Sequence, residues 1–142
     1  MIVVIGADHG GYPLKEDLSS LIGDLNHKVL DIGAGSGYFV SSLLDKNFKD
    51  AHGLEVSKNQ VKFGKNIFKL TKKNSKKLEQ ASFDSIIQKV NKTDFNCISL
   101  IGVLEHMVNM SAIMKAIKKN KKIKFLYVLL PMSSFICVVE NL

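Results

Sequence analysis

Arginine and tryptophan are absent from this chain, and cysteine and proline occur only twice each. All 20 basic residues are therefore lysines, and against 13 acids they leave a net charge of +7. Bidentate recognition of guanine and phosphate favours the arginine fork, so the lack of arginine argues against a nucleic-acid partner. Cys97 and Cys137 stand in separate apolar runs without C-x-x-C spacing, which points to free thiols in a reducing compartment. The four histidines, at 9, 27, 52 and 106, have no ligand spacing, and no metal is expected. Long hydrophobic runs are lacking too. Residues 125–139 are apolar but fall short of the ~18–20 that cross a bilayer, and Pro131 with Ser133 and Ser134 interrupts them. The opening MIVVIGADHGG has no basic n-region and too short an apolar stretch for a secretion signal. A soluble, cytoplasmic protein with no integral membrane segment is the expectation.

The 142 residues suit one domain with a real core, and 46% apolar against 23% charged residues is near a globular average. The lysines gather at 58–77 and 115–124, as solvated faces or, more sharply, as an anion-binding patch. Hydrophobic periodicity alternates between strand and helix. Strands are expected at 2–5, 29–32, 51–56, 97–104 and 123–130. Helices are expected at 13–25 behind Pro13, 38–45, 58–68, 83–90 and, capped by Ser111, 111–119. No strand can be placed in the lysine-rich stretch 69–80. The alternation predicts an α/β fold, Rossmann-like and doubly wound, with a mostly parallel sheet and helices on both faces.

The chain is organised around HKVLDIGAGSGYF, residues 27–39. A short apolar strand runs into glycines at 33, 35 and 37, and a helix follows. Such a loop lets a ligand touch backbone N–H groups at a helix N-terminus. Glu55 ends the next strand, 22 residues after Gly33, where a carboxylate can accept hydrogen bonds from two vicinal ribose hydroxyls. A pyrophosphate-binding loop has the pattern G-x-G-x-x-G/A, but the sixth position here is Tyr38.

Asp31-x-Gly33-x-Gly35-x-Gly37 instead resembles the first motif of class I S-adenosylmethionine-dependent methyltransferases. The resemblance continues through DFNCISLIGVLEHM (94–107) and IKFLYVLLPMSSFICVVE (123–140), and covers residues 27–142. The last stretch is similar to a subgroup that modifies surface polysaccharides and small molecules. The resemblance implies S-adenosylmethionine as cofactor. Asp31, Gly33, Gly35 and Gly37 would line its methionine end, Glu55 its ribose, and Leu104 and Glu105 would lie beside it. It implies a small-molecule or glycan acceptor. His106 is open to two roles, as a base or in shaping the pocket, and no other residue stands out as catalytic.

Residues 1–33 resemble the opening of type B ribose-5-phosphate isomerases and galactose-6-phosphate isomerase subunits, in which the positions of Asp8 and His9 lie in the sugar-phosphate site. Those enzymes need a catalytic cysteine and a glycine-rich anion loop a few dozen residues on, and residues 56–77 contain neither. The domain thus reads as an isomerase-like head (1–26) on a methyltransferase-like body (27–142). Ending at Leu142, it is expected to lack the last two strands of the methyltransferase fold and to leave a sheet edge open to self-association. The alternatives are an isomerase relative and a non-catalytic fragment that binds cofactor. If the methyltransferase arrangement holds, strand 2–5 cannot pair with strand 29–32.

Overall fold

The structure, a computed structural model, describes residues 1–7, 27–130 and 137–140, of which 2–7 and 137–140 are described by backbone alone. The strands are β1 (Ile2–Ala7), β2 (Lys28–Ile32), β3 (Asp50–Glu55), β4 (Leu78–Gln80), β5 (Cys97–Ile101), β6 (Phe125–Leu130) and β7 (Cys137–Glu140). The helices are α1 (Tyr38–Asp45), α2 (Lys58–Leu70), α3 (Phe83–Lys92) and α4 (Met110–Lys119). The strands form one sheet in the order β4-β3-β2-β5-β6-β1-β7. All neighbours run parallel except β7, which is antiparallel to β1.

Period-two alternation divides the core between the two faces of the sheet. Leu30, Ile32, Ile98, Leu100, Leu126 and Val128 pack with Ile86 and Val90 of α3 and Ile113 and Ile117 of α4. Val29, Ala51, Cys97 and Tyr127 pack on the other side with Phe39, Val40 and Leu43 of α1 and Val61 and Phe68 of α2. Helices thus cover both faces, as a doubly wound fold requires. Among the described residues, no helix is long and apolar enough to cross a membrane.

The β2–β5 pair is the point where the strand order reverses. From β2 the chain winds outward through β3 and β4, then returns to β5 on β2's other side. Ligand crevices form at such a switch point, beyond the carboxyl ends of the strands. Asn96 fixes the opposite end, where its Oδ1 accepts the Lys28 N–H at 2.9 Å.

Several boundaries differ from the sequence reading. The strand expected over 97–104 stops at Ile101, because Gly102 turns away at φ 57° and donates its N–H to the Leu129 carbonyl. Leu104–His106 form a single 3-10 turn. Asn109, not Ser111, caps α4: its side chain accepts the Ala112 N–H at 3.1 Å. The unplaced stretch holds β4, whose Leu78 is buried while Glu79 and Gln80 are exposed, so three residues show no readable period. The expected helix at 13–25, with Asp8 and His9, lies outside the described residues.

Of two larger expectations, one holds and the other is corrected. Both edges of β2 are taken, by β3 and β5, so β1 cannot lie beside it as the isomerase unit would require. It pairs instead with β6, Val4 opposite Tyr127. Nor is the β6 edge left open for lack of two final strands. β1 covers it, and β7 covers β1, giving a sheet of seven strands among the described residues.

Candidate functional site

The loop leaving β2 takes three left-handed glycines in succession, Gly33, Gly35 and Gly37, at φ 76°, 54° and 78°. Gly33 has a second reason to be glycine, since a Cβ there would lie 2.4 Å from Val103 Cγ2. A Cβ on Gly35 would meet nothing within 4 Å, so its backbone faces open space. Gly37 is the N-cap of α1, with no side-chain cap, and its N–H bonds to the Ala34 carbonyl at 2.8 Å. The N–H groups of Gly33 and Ala34 both donate to the Leu54 carbonyl, at 2.8 and 3.1 Å, which ties the loop to β3.

Glu55 completes this clamp. Its Oε2 accepts the Gly35 N–H and its Oε1 the Ser57 N–H, each at 2.8 Å, with 7% of the residue exposed. Each carboxylate oxygen keeps a further lone pair for a ligand hydroxyl. Two residues 20 apart in sequence are thereby joined beyond the carboxyl ends of β2 and β3.

Asp31 lies behind the loop, 2% exposed, where Ser99 Oγ donates to its Oδ1 at 2.7 Å. Burial pushes its carboxyl up to about 7; the Ser99 bond acts against that shift, and the nearby Glu55 charge adds to it. Cys97 is a free, buried thiol, raised to about 12 by burial and then by Asp31, so it is chemically quiet.

A cleft of about 750 Å³ opens at the switch point. Gly33 and Glu55 form one wall, Phe83, Asp84 and Ile87 of α3 another, and Val103, His106, Met107, Val108 and Asn109 the third. This size and mostly apolar lining suit a nucleoside-sized ligand. Of the residues expected at the site, Gly33 and Glu55 line the cleft, while Gly35 adjoins it through Glu55. Gly37 is buried beneath the loop. Leu104 packs into the core beside it, and Glu105 is exposed, its Oε1 3.9 Å from His106 Nε2. His106 reaches the rim with a side chain 78% exposed.

The sequence reading missed Phe83, Asp84, Val103 and Asn109 in these walls. Asp84 had a visible signal, an acid in the first turn of an amphipathic helix just after the lysine-rich stretch. The others are ordinary residues that only the folded arrangement brings together.

A family model described as "Methyltransferase domain" matches residues 9–129. No match to a curated protein is found. Among solved structures, the methyltransferase domain of bacterial CtHen1 is 23% identical with TM-score 0.63, over 81% of this chain and 63% of its own. PKMT2 of Rickettsia typhi, solved with AdoHcy, is 24% identical with TM-score 0.59, over 81% of this chain and 24% of its own. A SAM-dependent methyltransferase of Archaeoglobus fulgidus is 18% identical with TM-score 0.54, over 78% and 47%. The chain thus spans less than two thirds of each of these proteins. The family match runs through most of the isomerase-like segment, and nothing found supports that second resemblance.

Proposed function

Because the chain belongs to the methyltransferase domain family, we propose that it binds S-adenosylmethionine in the switch-point cleft and methylates a small-molecule or glycan acceptor. One observation carries this reading: the Glu55 carboxylate closes on the glycine loop at the mouth of a 750 Å³ crevice. The residues present fit the cofactor. Glu55 offers a free lone pair on each oxygen to a vicinal diol, and Phe83, Ile87 and Val103 offer apolar walls to a flat ring.

When bound, the cofactor supplies a methyl group activated by sulfonium charge. The chain's own residues bind and orient. Gly33 and Gly35 keep side chains out of the loop surface, Glu55 fixes the ribose, and Asp31 and Gly37 hold the loop from behind. Leu104 anchors the turn that presents Val103 and His106, and Glu105 stands beside His106. The acceptor class rests on the resemblance of residues 123–140, and the acceptor enters over the rim at 106–109. His106 on that rim would orient an acceptor hydroxyl, with alignment supplying most of the rate.

Calorimetric titration of the chain with S-adenosylhomocysteine tests this. Saturable one-site binding is expected, abolished by Gly35→Val with Glu55→Ala. Folded protein that takes up no ligand would refute the assignment.

A further inference from the structure

Helix α2 is patterned on two surfaces. Val61, Gly64 and Phe68 form its buried stripe. On its outer surface Phe63, Ile67 and Leu70 follow at i, i+4 and i+7, 60%, 36% and 85% exposed. That spacing sets them in one row along the helix. A lone exposed apolar residue is ordinary, but a row of three including a phenylalanine is a patch.

The charge around this row is one-sided. Eight lysines and no acid lie between Glu55 and Glu79. Lys73 pairs with Asp45 at 2.9 Å and Lys77 pairs with Asp50. The other six have no acidic partner among the described residues. Four of the six, Lys58, Lys62, Lys65 and Lys69, are on α2, where helical spacing sets Lys62 and Lys69 on the flank of the apolar row and Lys58 and Lys65 farther round the helix.

An apolar row for shallow insertion beside free lysines for anions matches one surface well, a bilayer with anionic headgroups. Lysine stems lie along apolar surface while their ammonium groups stay in water. Nucleic acid would satisfy the lysines but leave Ile67 and Leu70 uncovered. We propose that the outer face of α2 docks on anionic phospholipid membranes, with Phe63, Ile67 and Leu70 entering the headgroup region and Lys62 and Lys69 on their flank contacting its anions. This docking is independent of the cofactor reading.

Co-sedimentation of the full chain with vesicles tests it, comparing phosphatidylcholine alone with phosphatidylcholine mixed with phosphatidylserine. Binding to the mixed vesicles only, weakening with added salt, is expected. Lys62→Glu with Lys69→Glu should weaken it roughly twentyfold or more. Phe63→Ser with Leu70→Ser should weaken it on the order of tenfold. Circular dichroism melting, near wild type for both, separates lost docking from lost folding. Equal uptake by both vesicles, or by neither, overturns the proposal whatever the variants do. So does wild-type uptake by the folded serine variant, and so does a single-stranded RNA that displaces the protein from vesicles and binds that variant unchanged.

Discussion

At the scale of single residues, Gly33 and Gly35 share a backbone conformation but differ in what surrounds them. Alanine at Gly33 suffers both the left-handed backbone and a collision with Val103, whose Cγ2 would lie at 2.4 Å. We expect Gly33→Ala to destabilise by about 2–4 kcal/mol, read from the denaturation midpoint. Gly35→Ala meets no atom and should cost about 1–2 kcal/mol from its backbone alone. An equal loss for the pair would show that Val103 yields freely. Asp31 gives the same scale a pH dependence. Its folded value of about 7 lies above its ordinary 3.8, so between them the folded chain holds a proton that the unfolded chain releases. Its contribution to stability is therefore full below about 4 and is lost as pH rises through about 7. Asp31→Asn should flatten this dependence and leave the variant more stable than wild type at about pH 8. Parallel stability curves for the two proteins would contradict it.

At the scale of elements, α2 is held against the glycine loop by a contact that overrides helix propensity. Alanine is ordinarily about 1 kcal/mol better than glycine inside a helix. A Cβ on Gly64, however, would lie 2.2 Å from the Ser36 carbonyl oxygen. Gly64→Ala should therefore destabilise the chain and weaken binding of S-adenosylhomocysteine, because only a displaced loop relieves the clash. A gain in melting temperature would mean that the helix moves away without effect. Asn120 links α3 to α4 in a similar way, its Nδ2 donating to the Val90 and Thr93 carbonyls at 2.8 and 3.0 Å. Asn120→Ala should cost about 1–3 kcal/mol in chemical denaturation.

The elements legible in the sequence are those whose pattern is local. β2, the glycine turn and Glu55 could be read because strand, turn and acid follow one another at fixed spacing. β4 could not, since only Leu78 of its three residues is buried. The end of β5 depended on Gly102, whose positive φ is invisible inside an otherwise apolar run. The cap of α4 came down to Asn109 over Ser111, two good capping residues two positions apart, where register decides. The third wall of the cleft was illegible for another reason: Val103 and Asn109 acquire a role only when the turn after β5 folds over Gly33.

At the scale of the whole molecule, the sheet depends on a strand from the far end of the sequence. β1 lies between β6 and β7, pairing Val4 with both Tyr127 and Val138, so the edge of β6 is covered only while β1 is in place. An uncovered parallel edge presents unpaired N–H and C=O groups to other copies of the chain. A proline is tolerated at an edge strand or bulge, not in a strand bonded on both sides. Val4→Pro should therefore cost about 3 kcal/mol or more. The same change should make the chain self-associate more strongly than wild type, read from the concentration dependence of sedimentation. β2, β3 and β5 keep their mutual pairing in that variant, so the site at the switch point should still bind S-adenosylhomocysteine under conditions where the chain stays folded. A monomeric Val4→Pro variant with an unchanged midpoint would instead place β1 outside the cooperative sheet.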